Sequence, residues 1–410
     1  MAIDPDTRPV RRIPTVNSSG AWHKIVRWIF GIYPALDRVP VNVYLSLIKI
    51  YSLATSDFEL QLHEIGASET KDNFILSSPV IVNDVIFALD SKNTVSATSV
   101  IDKRTVWRST LIPEGKTGEG ALGGGIAYGN DTIYVTTAYG YVVALNPQNG
   151  GIYWWQSLGM PIRSAPTVAK GRVFVLTIDN QLYALSYRDG ATIWKHSGIS
   201  EPAGLLGSAA PAVAGDLVVV PYSSGELFAM RVENGRIAWS DSLSFQGRVG
   251  ANTVLSDIDA SPVIEGNVVY SVSYSGRLVA IDIRSGARIW EQEIASANTP
   301  WLAGNYLYVT TVDNNIVCLR RSDGRIRWVQ SMPAYTDPED KDGPIVWTRP
   351  TLIGDRLVVA GSDGEVRAVS PYTGRTLGRI TLPDGVRVAP IAANGTLYIL
   401  TTGAEVVALR

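Results

Sequence analysis

Few residues in this chain have types and spacings that could perform chemistry. "GEGALGG" holds a formal G-x-G-x-x-G at Gly118, Gly120 and Gly123, a spacing that lets a backbone approach a pyrophosphate. It leads into another strand-like run, "TIYVTT", with no helix N-terminus to face the phosphates, so it reads as a connection between strands. "GKT" at 115–117 lacks the leading glycine of a P-loop, because Thr110 stands in that place. The acidic stretch "DPEDKDG" (337–343) offers oxygen ligands without the alternate spacing and distal glutamate of a calcium loop, and reads as a solvated turn. His23, His63 and His196 form no H-x-x-x-H pair and have no nearby Ser/Asp grouping. Cys318, the only cysteine, alternates within "NNIVCLRR" like a small core residue and has no partner for an internal disulfide. From these residues the expectation is no catalytic centre, no metal and no cofactor.

The bulk properties narrow the partners. The chain has 410 residues, 46% hydrophobic and 18% charged, which suits a folded protein with a substantial core. A net charge of −2 leaves no basic excess to neutralise phosphates, so nucleic acid is not an expected partner. "MAIDPDTRPVRRIPTVNSSG" has charge but no apolar signal core behind it. The apolar run "VNVYLSLIKIYSLA" (41–54) is interrupted by Asn42 and Lys49 and is shorter than the roughly 20 residues a spanning helix needs. It is expected to lie against the fold.

The elements that must position any site come from an internal repeat. Pro79, Pro166, Pro211, Pro262, Pro300, Pro350 and Pro390 anchor successive copies, and Ile126 takes the proline's place in one more. Trp107, Trp194, Trp239, Trp290 and Trp328 each fall 28 residues after a proline, and Trp154 falls 28 after Ile126. Gly150, Gly190, Gly235, Gly286, Gly324 and Gly374 fall 24 after their anchors; Lys103 is the exception, and Gly378 stands where the seventh tryptophan would. Within a copy, runs such as "PTV", "RVFVLT", "QLYALS" and "ATIWKH" alternate with Gly, Asn and Asp turns, the pattern of a four-stranded antiparallel meander. The glycine supplies positive φ for the third turn, and the tryptophan on the outermost strand wedges between neighbouring sheets. Eight such copies predict an all-β protein, an eight-bladed β-propeller. The last copy stops after its third strand at Arg410, and "DFELQLHEIG" (57–66) is expected to complete the eighth blade. The domains expected are an extension over 1–54 and a propeller over 55–410.

The phrases "AIDIRSGARIW" and "ALSYRDGATIW" resemble the repeat of pyrroloquinoline-quinone-type propellers. Two groups carry it: quinoprotein dehydrogenases, and the outer-membrane assembly factor BamB with its relatives. "LSDIDASPVIEGNVVYSVSYSGRLVAIDIRSGARIW" (255–290), the eight copies and the closing strand look most like BamB. That resemblance implies an accessory subunit of the outer-membrane β-barrel assembly machinery, docked on the barrel subunit BamA and assisting insertion of outer-membrane proteins. It also implies a periplasmic, outer-membrane-associated location, although the chain shows no lipidated cysteine. The family's docking patch lies in loops leading into two consecutive blades. The match carries it onto Asp257 and Asp259 in "SDIDASP" and onto Leu205 in "AGLLGSAAP", where Leu206 stands in place of an arginine and Ala203 in place of a leucine. Leu205 lies six residues before Pro211 and Asp257 five before Pro262, so both sit on outer-to-inner connections of neighbouring blades. All such connections of a propeller emerge on one face. Asp257 and Asp259 are equally compatible with a local turn.

Two other functions remain open at this point. A quinoprotein dehydrogenase would use an adjacent cysteine pair and a Glu/Asn/Asp calcium set, neither identifiable here. A related propeller serving another complex would attach through the basic-aromatic stretch "AWHKIVRWIF" in its extension.

Overall fold

The computed structural model describes residues 63–65, 77–116, 123–200, 209–244, 256–403 and 405–410. The expected roles of residues 1–54, including the run 41–54, lie outside them. Among the described residues the structure is all β: eight four-stranded antiparallel sheets and one additional two-stranded hairpin. Blade 3 shows the plan, with its innermost strand Thr167–Ala169 followed by Arg172–Leu176, Gln181–Ser186 and the outermost Thr192–Ser197. These are the four runs the alternation marks out. Blade 8 is Ile391–Ala393, Thr396–Leu400 and Val406–Leu409, completed by His63–Ile65 from ahead of the first blade. The ring is therefore sewn shut by non-covalent pairing of Glu64 with Val407 and its flanking residues.

Each blade is too thin to bury both faces alone. The apolar side chains gather instead in eight clusters, one at every seam. Val269 and Val279 of blade 5, for example, pack with Val219 and Ala229 of blade 4. Across the closing seam, Ile86 and Ala88 of blade 1 meet Tyr398 and Leu400 of blade 8. No seam is left without a core, which is the physical meaning of a closed eightfold ring.

The tryptophan and glycine of the repeat act on the same seam. Trp239 sits opposite Ala229 on its own sheet, with a register shift just beyond it. Its indole N–H donates to the carbonyl of Ile283 in the next blade at 2.7 Å. Five other tryptophans do the same: Trp107 to Pro147, Trp154 to Tyr187, Trp194 to Val232, Trp290 to Arg321 and Trp328 to Pro371. Every acceptor lies three residues before the next blade's glycine. A Cβ on Gly286 would stand 2.6 Å from Trp239 Cγ, and one on Gly150 would stand 2.5 Å from Trp107 Cε3. Both glycines have φ near +70° (Gly286 +73°, Gly150 +70°). The glycine thus turns the chain and also leaves room for the previous blade's indole. Lys103 keeps the positive φ, at 59°, without being glycine.

The acidic stretch is more ordered than a simple turn. It forms the tip of a hairpin pairing Tyr335–Asp337 with Asp342–Pro344, inserted between blades 6 and 7. The Asp337 carboxylate accepts from the Glu339 and Asp340 amides, so the acidic tip is held by local bonds.

Candidate docking face

The two expected docking loops leave and re-enter the ring at anchored points. In the first, Asn180 is buried, and its side-chain amide donates to the Ile199 carbonyl at 2.5 Å and to Ser223 Oγ of blade 4 at 2.8 Å. In the second, the Leu243 carbonyl accepts from the hydroxyls of Ser273 and Ser275, and the Asp257 carbonyl accepts from the Tyr274 amide at 2.8 Å. The returning ends are tied to each other, because the Ala210 amide donates to Ser261 Oγ at 2.9 Å. Loops from neighbouring blades are therefore held side by side at their bases. Leu205 and Leu206 lie outside the described residues, as does Ala203.

The acidic half of the patch is turned inward. Asp257 is only 2% exposed, Ile258 enters the core between blades 4 and 5, and Ala260 enters the one between blades 5 and 6. This alternation pins "SDIDASP" against the ring, so Asp257 lies within the base of the loop. Asp259 is half-buried. Burial pushes its carboxyl up to about 7; the neighbouring Asp257 charge adds to the rise, and Arg163 partly offsets it. Arg163 comes from the connection into blade 3, three residues before Pro166, as Asp259 is three before Pro262. Positions nearly a hundred residues apart are thus electrostatically linked two blades away, a link the sequence does not display.

Two other candidates, His196 and Cys318, lie within the described residues. His196 Nδ1 and Tyr222 OH are 2.8 Å apart across the seam between blades 3 and 4, and burial lowers the His196 pKa while raising that of Tyr222. Cys318 is buried at 1% exposure, and burial raises its thiol to about 12, well outside nucleophile range. Among the described residues no group of three or more His, Cys, Asp or Glu could hold a metal ion. The face of Trp301 is also covered by the Arg349 guanidinium, 5.2 Å from the ring centroid.

Residues 91–330 match the family described as outer membrane protein assembly factor BamB. The chain is 29% identical over 321 residues to the BamB of Yersinia pestis, covering 77% of this chain and 79% of that protein. Its fold is similar to the crystal structure of BamB from Moraxella catarrhalis, with a TM-score of 0.72, 20% identity, and coverage of 85% of this chain and 99% of that one. A europium-containing methanol dehydrogenase shares the fold at a TM-score of 0.65 and 14% identity, covering 85% of each chain. That match speaks for the propeller alone. With more than half the chain matched to one family and its eight-bladed ring in place, this protein belongs to the outer membrane protein assembly factor BamB family.

Proposed function

We propose that this propeller is a non-catalytic accessory subunit of the machinery that assembles β-barrels in the outer membrane. It works at the periplasmic side of that membrane, docking on a BamA-like barrel subunit and assisting insertion of unfolded outer-membrane proteins. The observation that carries this reading is the pair of loops from blades 4 and 5 tied together at Ala210 and Ser261 within a BamB-family ring. The docking patch is Leu205 and Leu206 on one loop and Asp259 on the other, with Asp257 setting the base of the second loop. Two leucines on one loop and a half-buried carboxylate on the loop tied to it suit a partner surface that brings its own apolar anchor and a basic group.

Co-purification with the barrel subunit tests this. Leu205→Glu combined with Leu206→Glu is expected to lower recovery by about tenfold or more, as loss of a central apolar anchor does, with the melting midpoint unchanged. Undiminished recovery would remove the patch. The quinoprotein reading is met by adding pyrroloquinoline quinone with calcium; dye-linked alcohol oxidation would reverse the non-catalytic assignment.

A further inference from the structure

The residue directly before each anchor proline sits where the innermost strands close around the axis. Three bonds and contacts show this ring. A Cβ on Gly125 would stand 2.6 Å from Ala165, the equivalent residue of the next blade. The Ala210 amide donates to Ser261 Oγ, and the Ser261 amide donates to Thr299 Oγ1 at 3.0 Å. The next member of the series is Arg349, in blade 7. It is placed beside Thr299 by two bracketing contacts: Asn298 Nδ2 donates to the Trp347 carbonyl at 3.2 Å, and the Arg349 guanidinium lies over Trp301.

Arg349 is unlike the other stacked arginines. Arg321, over Tyr270, has the Gly304 carbonyl and Glu265. Arg367, over Trp347, has Glu365 at 2.7 Å, and Arg188 bonds the Tyr187 hydroxyl. Arg349 has a ring face and, among the described residues, no hydrogen bond and no ion pair. It is half-buried, and burial weighs against its charged form. The carbonyls of the two preceding residues each accept from another side chain, Trp347 from Asn298 and Thr348 from Thr310. A guanidinium cannot shed its proton, so this charge and its five N–H donors stay in place with no anionic acceptor among the described residues.

The hydroxyls of Ser261 and Thr299, at the equivalent positions of blades 5 and 6, are also half-satisfied. Ser261 Oγ and Thr299 Oγ1 each accept from a backbone amide, which leaves their O–H hydrogens directed elsewhere. Blades 5, 6 and 7 therefore contribute consecutive donors at one level of the collar, and the backbone behind them is fixed by inter-blade bonds. We propose that Ser261, Thr299 and Arg349 form a binding site for one small oxyanion, a carboxylate or a phosphate, at the axis of the propeller. The chemistry is that of a charge-assisted fork with two added hydroxyl donors, and the indole of Trp301 holds the fork in its plane.

The test uses the full chain, with inorganic phosphate and acetate titrated separately at constant ionic strength. Binding is followed by calorimetry and by tryptophan fluorescence, because the guanidinium rests on Trp301. Saturable one-to-one binding of either anion is expected, with phosphate-only or acetate-only binding naming the source of the oxyanion. Arg349→Gln is expected to weaken it by about tenfold or more, the scale of a lost charged hydrogen-bond pair. Thr299→Val should weaken it by a smaller factor, and Trp301→Phe should lose the fluorescence change while keeping the heat. If Arg349→Gln fails to fold, Arg349→Lys serves, since it keeps the charge but loses the fork. No saturable binding of either anion, or an unchanged constant in the folded Arg349 variant, overturns the proposal.

Discussion

At the scale of single residues, two side chains carry clear consequences. Asp259 has a pKa raised to about 7 by burial beside Asp257, against about 3.9 in an unfolded chain. Its ionised form is disfavoured by folding, so the fold is unaffected at pH below 4. It loses stability as pH rises from about 4 to about 7, with the full cost present above that. Asp259→Asn is therefore expected to raise the melting midpoint more at pH 8 than at pH 5, and an equal shift at both would contradict the buried carboxylate. Trp290 is 9% exposed, lies 6.0 Å from the Tyr270 ring and bonds the Arg321 carbonyl. Trp290→Ala should cost about 3–5 kcal/mol in chemical denaturation, from lost burial plus the cavity left between blades 5 and 6. The spacing of Trp290 after Gly286 was legible in the sequence, since the repeat states it. The position of Asp259 was legible too, but not its burial, which depends on Ile258 and Ala260 entering two different seams.

At the scale of elements, the tryptophan–glycine lock joins six consecutive seams, from blade 1 to blade 7, and is missing on both sides of blade 8. Gly378 pairs with Ala368 where a tryptophan pairs with alanine in blades 3, 4 and 5. A Cβ there would meet nothing within 4 Å. On the other side His63 pairs with Ala408 at the tryptophan position, and the glycine position of blade 1 holds Lys103. Blade 8 is also the blade whose outermost strand is only three described residues long. Its amides over Thr396–Leu400 and Val406–Leu409 are expected to exchange with solvent faster than those of Val268–Val272 and Arg277–Asp282 in blade 5. Equal protection, read by hydrogen-exchange mass spectrometry, would show that the cores at these seams compensate for the missing lock. Gly286→Ala belongs to the same scale: it forces a side chain into positive φ and against Trp239. It should destabilise by more than about 1 kcal/mol in the same denaturation assay. The turn role of that glycine follows from local chemistry, whereas its fit against the preceding indole exists only between blades.

At the scale of the whole molecule, closure rests on pairing between the two ends of the propeller. A chain beginning after Ile65 would expose the backbone edge of Val406–Leu409, and is expected to melt at lower temperature and to self-associate, as light scattering would record. The architecture as a whole was readable from the chain alone, because alternation, turn residues and the glycine–tryptophan register are local properties repeated eight times. So was the closing strand, whose continuation Ile65–His63 pairs as the unfinished eighth copy requires. What ring closure alone decided is which distant positions meet. Arg163 is set near Asp259, Ala210 is bonded to Ser261, and Arg349 rests on Trp301 with no ion pair among the described residues. Repetition specifies each blade from within, but contacts across the axis depend on how many blades close the circle and at what level each strand enters. No local pattern encodes that sum, so the sites on the axis appear only once the ring is assembled.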